Sequence, residues 1–342
     1  MSSLDWAGLI AKLESGLDLE PREAQSAMRE VLEDRADKEI LKTFLLALKN
    51  KGETPEEVGA LVEQMYQFCS PISITERAVD TVGTGGDGAH TINISTTAAI
   101  IAAAAGSRVV KHGNRAASSK SGAGDLLEAL GVAINLDGEK VAKTVSELGI
   151  GFCFAPVFHP AMRFAAPARK ELATATVFNI LGPLTNPAKA PNIVMGVFHP
   201  ELVVTQAKVL QLMGAEHALV VHGNDGLDEI TLSGPTMVAE LRNGQISQYE
   251  IKPSDFGIAN ASMENLKVAD AQESKAIILN IMNNQSGPAR DVVCLNAGAT
   301  LYAANVSPSI AEGIALANST IASGKAKQKL EAFVALTQSL AS

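Results

Sequence analysis

One short stretch of this sequence, residues 82–115, holds the residue types that bind phosphate groups. Its first part, Val82-Gly83-Thr84-Gly85-Gly86-Asp87-Gly88, is rich in glycine, so backbone N–H groups can approach an anion without a side chain in the way. Thr91-Ile92-Asn93-Ile94-Ser95-Thr96 then opens a predicted helix, whose N-terminus favours negative charge. The next predicted strand leads into Lys111-His112-Gly113-Asn114-Arg115. The pattern predicts a site for a phosphate-rich ligand.

The glycines also fit G-x-G-x-x-G, a pattern of dinucleotide-binding folds, after a plausible strand at 78–82. Such folds place an acidic residue about twenty positions further on to bind the ribose. This chain has Arg108 and Lys111 there, which would suit a 2′-phosphate, so an NADP enzyme stays an alternative. A Walker A loop is excluded because no Gly-Lys-Ser/Thr follows the glycines.

A pair of acidic residues, Asp228 and Glu229, follows a predicted strand at 218–221. Open α/β sheets bind ligands at the carboxyl ends of their strands, and a few hard oxygen donors suit Mg²⁺ bridging to a pyrophosphate. We interpret the pair as metal ligands. The alternative is an acidic turn in solvent.

Other polar residues could complete the site. Ser118 to Gly124 offers donors before a helix, although a plain loop with helix caps would show the same residues. His112 and Asn114 can hydrogen-bond a neutral partner, and the guanidinium of Arg169 suits a carboxylate. The alternative for Arg169 is a solvated helix face shared with Arg163 and Lys170.

Helical spacing of apolar residues from Asp5 to Cys69 predicts a small helical domain, and Ser70 to Ser73 a hinge. Strands and helices then alternate, which predicts a mostly parallel sheet. The segment Pro156 to Pro191 interrupts the alternation with prolines and basic residues, and we expect it to pack on the helical domain. Asn243-Gly244 predicts a hairpin. Strands are predicted at 78–82, 108–111, 150–154, 193–197, 218–221, 238–240 and 246–249, and helices at 96–105, 126–130, 137–148, 200–213, 273–283, 289–304, 309–323 and 326–339.

Composition narrows the class of protein. With 342 residues, 46% of them hydrophobic, the chain can bury a large core. A net charge of −9 disfavours nucleic acid and anionic membranes as partners, and speaks against a non-catalytic nucleic-acid-binding relative. Its 3 cysteines lack a C-x-x-C spacing, so zinc and disulfide scaffolds are excluded. Without a signal-peptide pattern, we expect a cytoplasmic protein.

Several long motifs, in order along the chain, resemble those of the anthranilate phosphoribosyltransferase family. They are Gly83–Asp87, Asn93–Thr96, Lys111–Arg115, Ser118–Gly122, Asn179–Pro187 and Asp225–Ile230. The resemblance covers nearly the whole chain. It implies an α/β fold of the nucleoside phosphorylase/phosphoribosyltransferase type, with a small N-terminal all-helical domain and a larger α/β domain around a mostly parallel central sheet. The expected domains are 1–70, joined by part of 160–191, and a phosphoribosyl pyrophosphate-binding domain of 74–159 and 192–342.

The resemblance also implies a reaction. The amine of anthranilate would displace pyrophosphate from C1 of phosphoribosyl pyrophosphate (PRPP), with Mg²⁺ as cofactor, to give phosphoribosylanthranilate for tryptophan synthesis. It implies a homodimer through the helical domain. A pyrimidine nucleoside phosphorylase would share the architecture but bind inorganic phosphate and need no Asp-Glu pair, so Asp228 and Glu229 argue against it.

The family's site residues carry over by position. The implied electrostatic residues are Lys111, Asp228 and Glu229, and the implied metal ligands are Ser95, Asp228 and Glu229. The implied anthranilate contacts are Gly83, His112, Asn114 and Arg169. The implied PRPP contacts are Gly83, Gly86, Asp87, Thr91, Asn93, Ile94, Ser95, Thr96, Lys111, Ser118, Ser119 and Ala123. This sequence has Ala116-Ala117 where the family usually has Ser-Val, and Ala123 in place of a serine, so position 123 could contribute only its backbone.

Overall fold

A computed structural model describes residues 4–116 and 120–342 of the chain. The N-terminal region is helical, as predicted, and consists of α1 (Trp6–Glu14), α2 (Pro21–Leu32), α3 (Lys38–Lys51) and α4 (Pro55–Gln67). Thr54 caps α4, because its hydroxyl accepts a hydrogen bond from the Glu57 N–H at 3.2 Å and the Glu57 carboxylate accepts one from the Thr54 N–H at 2.8 Å. Proline at the first helical position of α2 and α4 fixes where each helix begins.

A seven-stranded sheet forms the centre of the molecule, in the order β3-β2-β1-β4-β5-β6-β7. The neighbours from β3 to β5 run parallel, and β6 and β7 form an antiparallel hairpin at the edge. Asn243 and Gly244 both have positive φ, as a tight hairpin turn requires. The strands are β1 (Val79–Gly83), β2 (Val109–Gly113), β3 (Ile150–Phe154), β4 (Asn192–Gly196), β5 (His217–Gly223), β6 (Thr236–Arg242) and β7 (Gln245–Ile251).

Helices cover both faces of the sheet. They are α5 (Ile94–Ala104), α6 (Ala123–Leu130), α7 (Gly138–Leu148), α8 (Ala155–Phe158), α9 (Ala166–Leu172), α10 (Phe178–Leu181), α11 (Leu202–Leu212), α12 (Ala271–Met282), α13 (Pro288–Ala303), α14 (Ile310–Ala322) and α15 (Lys325–Ala341). Short 3₁₀ turns lie at Pro160–Phe164, Gly182–Leu184, Pro253–Phe256 and Met263–Leu266. The predicted α/β class with a helical N-terminal region is confirmed.

The helical region shares one apolar core with a face of the sheet. Leu45 of α3 and Leu61 of α4 belong to the same buried cluster as Val82, Met195 and Val220 of the sheet. Helix α4 packs on α11, which in turn packs on β5 and β6. Among the described residues, no helix has the length and apolar character needed to cross a bilayer.

The proline-rich segment packs against the helical region. Helix α9 contacts α3, where Lys38 and Lys42 donate to the Glu171 carboxylate at 2.6 and 3.0 Å. Lys49 also donates to the Thr174 hydroxyl at 2.7 Å. Several short helices, α8 to α10, shape this segment, and the sequence pattern predicted no helices there.

Close packing of α13 on α14 leads to a stability prediction. A Cβ added at Gly298 would lie 2.5 Å from Ile314 Cγ1 and 2.6 Å from Ile314 N, so the helices would have to move apart. We expect Gly298→Ala to lower the free energy of unfolding by about 1–3 kcal/mol, measured by urea titration. The matched control is Gly59→Ala in α4, where an added Cβ meets nothing within 4 Å. That variant should be unchanged or up to about 1 kcal/mol more stable, and equal losses in both would contradict the packing argument.

Candidate active site

A cleft of about 790 Å³ opens where β1 and β2 end and where the loop after β5 begins. Ligands bind at this edge of an open α/β sheet, next to the strand where the connections change direction. The cleft brings together every sequence-predicted site residue that the structure describes: Gly83, Gly86, Asp87, Thr91, Asn93, Ile94, Ser95, Thr96, Lys111, His112, Asn114, Ala123, Arg169, Asp228 and Glu229. Ser118 and Ser119 lie outside the described residues.

The glycine-rich loop is shaped by left-handed backbone. Gly85, Gly86 and Gly88 have φ of 67°, 82° and 67°, a region that favours glycine. His90 has φ of 56°, so a non-glycine residue is held there in the same region. Helix α5 begins just beyond, at Ile94, and its N-terminus lines the cleft. Backbone N–H groups and a helix N-terminus therefore converge on one space, as an anion site requires.

The backbone of the glycine-rich loop lies in close contact with Asp228. The Gly85 N–H donates to Asp228 Oδ2 at 2.6 Å. A Cβ at Gly83 would lie 2.3 Å from Asp228 Oδ2, and one at Gly196 would lie 1.6 Å from the Asp228 carbonyl oxygen. Glycine at the ends of β1 and β4 is therefore a steric requirement for bringing this carboxylate into the site.

We call Ser95, Lys111, Asp228 and Glu229 the acid–lysine cluster. Both carboxylates are buried, at 8% and 9% exposure, which contradicts the alternative of an acidic turn in solvent. Glu229 Oε1 accepts a hydrogen bond from the Ser95 N–H at 3.1 Å. Burial raises the pKa of Glu229 to about 7, although Lys111 and Ser95 oppose the rise. Burial, together with the charges of Asp87 and Glu229, raises the pKa of Asp228 well above its usual range.

Lys111 reaches this cluster from β2. Its ammonium donates to the Thr81 carbonyl and, at 3.4 Å, to the Ser95 hydroxyl. Burial lowers the pKa of Lys111, and the carboxylates of Asp80, Glu229 and Asp228 oppose that shift. The cluster thus holds like-charged carboxylates close together with one buried cation, an arrangement that a divalent cation would stabilise.

The donor set fits Mg²⁺. Ser95, Asp228 and Glu229 offer hard oxygen atoms, the type that Mg²⁺ prefers. Within residues 4–116 and 120–342, no group of three or more His, Cys, Asp or Glu side chains is arranged to hold a metal ion. A cation bound here would therefore take its remaining ligands from water or from a bound phosphate group, as Mg²⁺ commonly does.

We call His112, Asn114 and Arg169 the acceptor cluster, because the resemblance implies that they bind anthranilate, the acceptor of the phosphoribosyl group. His112 Nδ1 lies 3.1 Å from the Gly182 carbonyl oxygen, and a carbonyl can only accept, so Nδ1 carries the proton. The buried Nε2 is left with a lone pair and has no hydrogen-bond partner among the described residues. Burial lowers the pKa of His112 to about 3, so the ring is neutral.

Arg169 places its guanidinium 5.4 Å from the centre of the Phe178 ring. Burial lowers its pKa, and no described carboxylate lies within ion-pair distance. Lys170, next to it, is exposed and does not line the cleft. A half-buried guanidinium that lines the cleft without a counter-ion suits a ligand carboxylate, which argues against the alternative of a solvated helix face for Arg169.

Two basic residues, Arg115 of the phosphate-site prediction and Arg108 of the NADP alternative, bind other groups of the protein. Arg115 lines the cleft, but its guanidinium donates to Glu128 Oε1 at 2.8 Å and to Asp125 Oδ1 at 3.3 Å. Arg108 donates to the Val145 carbonyl at 2.9 Å and does not line the cleft. Of the two cations on which the NADP alternative depended, only Lys111 lines the cleft, so the position of Arg108 argues against that alternative.

The side chain of Asn93 connects two loops. Its Nδ2 donates to the Ser121 carbonyl at 2.9 Å, and its Oδ1 accepts from the Ser121 and Ser274 hydroxyls at 2.7 and 2.9 Å. The amide thus ties the start of α5 to the loop before α6. Its predicted contact with PRPP stays a prediction.

Asn296 is a supporting residue that sequence analysis missed. It is buried on α13, where Oδ1 accepts from the Ile230 N–H at 3.0 Å and Nδ2 donates to the Ile230 carbonyl at 2.9 Å. Both bonds fix the residue after Glu229. A single asparagine in an apolar helix is a weak signal, and only the fold shows what it contacts.

Family models match both parts of the chain. The helical bundle domain of a glycosyl transferase family matches residues 7–69, and the a/b domain of that family matches residues 75–327. Fold and site therefore define a glycosyl transferase. Curated relatives and solved structures narrow this class, and the chain belongs to the anthranilate phosphoribosyltransferase family.

The relatives are similar over nearly their whole length. The anthranilate phosphoribosyltransferase of Polynucleobacter asymbioticus is 54% identical over 319 residues, which cover 93% of this chain and 94% of the relative. That of Laribacter hongkongensis is 52% identical over 334 residues, covering 97% and 98%.

Solved structures that resemble this chain belong to the same family. The anthranilate phosphoribosyltransferase of Thermus thermophilus superposes with a TM-score of 0.91 at 44% identity, covering 96% of this chain and 99% of that one. The enzyme from Saccharomyces cerevisiae, in complex with PRPP and Mg, gives a TM-score of 0.90 at 28% identity and covers 99% of each chain.

Replacing Asn296 tests how the carboxylate pair is held. Asn296→Ala leaves the buried backbone groups of Ile230 without partners, so we expect unfolding to become easier by about 1–3 kcal/mol. Affinity for PRPP with Mg²⁺, measured by calorimetry, should fall severalfold because Glu229 loses its fixed position. The control is Asn318→Ala on α14, whose amide donates to the carbonyl one turn earlier, Ile314 O, at 3.1 Å. Unchanged ligand affinity in Asn296→Ala would contradict this role.

Proposed function

We propose that the protein transfers the phosphoribosyl group of PRPP to the amine of anthranilate and releases pyrophosphate, with Mg²⁺ as cofactor. The observation that carries this proposal is the meeting of the acid–lysine cluster and the acceptor cluster in one cleft. The first suits a diphosphate with its cation, and the second suits a neutral amine that bears a carboxylate. The yeast relatives in complex with PRPP and Mg, and with 4-fluoroanthranilate, support both substrate classes.

The chemistry requires charge stabilisation more than a strong base. The nitrogen lone pair of anthranilate forms a bond to C1 of the ribose while the bond from C1 to the diphosphate oxygen breaks. Both electrons of that bond leave with pyrophosphate, and the nitrogen then loses a proton to solvent. An aromatic amine is already neutral at pH 7, so the harder task is to stabilise the departing diphosphate.

The acid–lysine cluster serves the leaving group. When bound, Mg²⁺ neutralises charge on the diphosphate oxygens. Ser95, Asp228 and Glu229 would hold that cation, and the buried ammonium of Lys111 adds a positive charge that needs no reorganisation during the reaction. The backbone N–H groups of the glycine-rich loop hold the phosphates. Ser118 and Ser119 stay predicted contacts to the same ligand.

The acceptor cluster positions the nucleophile. Arg169 binds the carboxylate of anthranilate, and Asn114 offers an amide to its ring substituents. The lone pair of His112 Nε2 accepts a hydrogen bond from the amine, because Gly182 fixes the proton on Nδ1. Holding the amine in line behind C1 makes the reaction between the two bound substrates effectively unimolecular.

Domain organisation and assembly are also part of the proposal. We assign residues 1–70, with part of 160–191, to the helical domain and residues 74–159 and 192–342 to the PRPP-binding domain. The separate family matches at 7–69 and 75–327 support the boundary between residues 70 and 74. A homodimer through the helical region, where Leu17, Ile40 and Leu46 are exposed, also belongs to the proposal. The cytoplasmic location stays a prediction.

Anthranilate fluorescence gives a direct test of the reaction. With PRPP and Mg²⁺, the purified protein should consume the fluorescence, and chelation of the metal by EDTA should stop the loss. The double variant Asp228→Asn, Glu229→Gln should need at least tenfold more Mg²⁺ for half-maximal rate, because two anionic ligands are gone. Fluorescence that stays constant at high enzyme concentration would refute the proposed function.

Replacing Arg169 tests the acceptor cluster. Arg169→Ala should raise KM for anthranilate about 10–100-fold, the worth of a charge-assisted hydrogen bond, with little change in KM for PRPP. Lys170→Ala is the control, since it removes the same charge from the same helix without altering the cleft. If both variants shift KM for anthranilate equally, the effect is long-range electrostatics and Arg169 is no contact.

A further inference from the structure

Strands β1 and β2 separate as they approach the cleft. In the described part of the chain they pair as a ladder only at Val79↔Val109, whereas β1 pairs with β4 from Val79↔Asn192 to Gly83↔Gly196. On its other side, β2 stays paired with β3 along its whole length. The sheet therefore splays between β1 and β2, just before the residues that enter the site.

Side chains replace the missing ladder in this gap. The His112 N–H donates to Asp80 Oδ1 at 3.2 Å, and the Val110 carbonyl accepts from Asn186 Nδ2 at 2.7 Å. The same Nδ2 donates to Asp80 Oδ2 at 2.7 Å. On the β1 side, the Thr81 carbonyl accepts from the Lys111 ammonium. Buried backbone groups need partners, and here each of these groups binds a side chain instead of the neighbouring strand.

Asn186 connects this gap to the proline-rich segment and to α4. Its carbonyl accepts from the Tyr66 hydroxyl at 3.1 Å, and its Oδ1 accepts from the Ala188 N–H at 2.9 Å. Gly182, in the same segment, binds His112 Nδ1. One end of β2 is thus held by the proline-rich segment at both its backbone and its side chain.

We propose that Asp80 and Asn186 are positioning residues, a buried pair that holds β2 away from β1 and thereby places Lys111 toward the diphosphate and His112 toward anthranilate. The inference rests on the proposed function of those two residues. Asp80 is fully buried, and its carboxylate lies among the donors described above. Burial raises the pKa of Asp80 to about 6, while Lys111 and Asn186 oppose the rise, so the pair and the lysine stabilise one another.

The geometry also explains why both residue types are needed. Asn186 must donate to two acceptors at once, Val110 O and Asp80 Oδ2, which uses both hydrogens of one amide. Asp80 must accept from two donors, which a carboxylate does with one oxygen each. Asparagine at 80 would turn an N–H toward the Asn186 amide, so one bond of the network would be lost.

A double-mutant cycle tests the pair. We expect Asn186→Ala and Asp80→Asn each to lower kcat/KM for both PRPP and anthranilate at least tenfold, because both substrate contacts on β2 move. The double variant should be no more than about threefold worse than the poorer single variant, since the two side chains act as one unit. Asn318→Ala on α14 is the control, because that asparagine does not line the cleft, and both KM values should stay within about twofold.

An exchange of the two residue types keeps the test decisive if a single variant folds poorly. Asn186→Asp brings two buried carboxylates together and should be the most damaging change. Adding Asp80→Asn restores a donor facing an acceptor between the two side chains, although the Val110 carbonyl still lacks its donor. We therefore expect kcat/KM per folded molecule to recover at least tenfold from the Asn186→Asp level but to stay below the wild-type value. Recovery of this kind requires direct contact between the two side chains.

Hydrogen exchange gives a readout that does not depend on activity. In Asn186→Ala, amides of β2 should exchange at least tenfold faster than in the wild type, whereas those of β4 should be unchanged. Turnover of the wild-type protein, measured in the kinetic assay, tests the proposed function separately. The proposal is refuted if the losses in kcat/KM of the two single variants multiply in the double variant, or if kcat/KM falls for only one substrate. It is also refuted if the amides of β2 exchange hydrogen at the wild-type rate in Asn186→Ala.

Discussion

The crowding of Asp228 and Glu229 beside Lys111 is the interaction on which the site depends. Two carboxylates and one ammonium are buried at the end of the sheet, where the backbones of Gly83 and Gly196 leave no room for a Cβ. Burying like charges is unfavourable unless a cation or hydrogen bonds offset the cost. The Gly85 and Ser95 N–H groups supply part of that offset, and a divalent ion would supply the rest.

The remaining elements support this cluster from three directions. Helix α13 fixes the loop after Glu229 through Asn296. Helix α5 places Ser95 at its N-terminus, and Asn93 ties that terminus to the loop before α6. The proline-rich segment carries Arg169 and Gly182, so part of the acceptor side is built by residues far from the phosphate side in the sequence, whereas His112 and Asn114 directly follow Lys111.

Much of this organisation could be predicted from local pattern. The glycine loop, the helix after it and the acids after β5 each follow from spacing and residue type, and all lie in one cleft. The hairpin at Asn243-Gly244 followed from turn chemistry alone. By contrast, Asp80 and Asn186 are far apart in the chain, and nothing in either neighbourhood indicates that they meet. The pairing of Arg115 with Glu128 was equally hidden, because an arginine after a strand has the same local pattern whether it binds a ligand or a glutamate.

The shared apolar core has a consequence for how such a protein can evolve. Leu45 and Leu61 of the helical region are packed in the same cluster as Met195 and Val220 of the sheet. Recombination that exchanged the first 70 residues between distant relatives would join a helical region and a sheet whose contacting side chains had not evolved together. The segment between the helical region and the sheet would be a convenient crossover point in the gene. The two regions are nevertheless packed in one core, so an exchange would be inherited only with matching substitutions on both sides of that core.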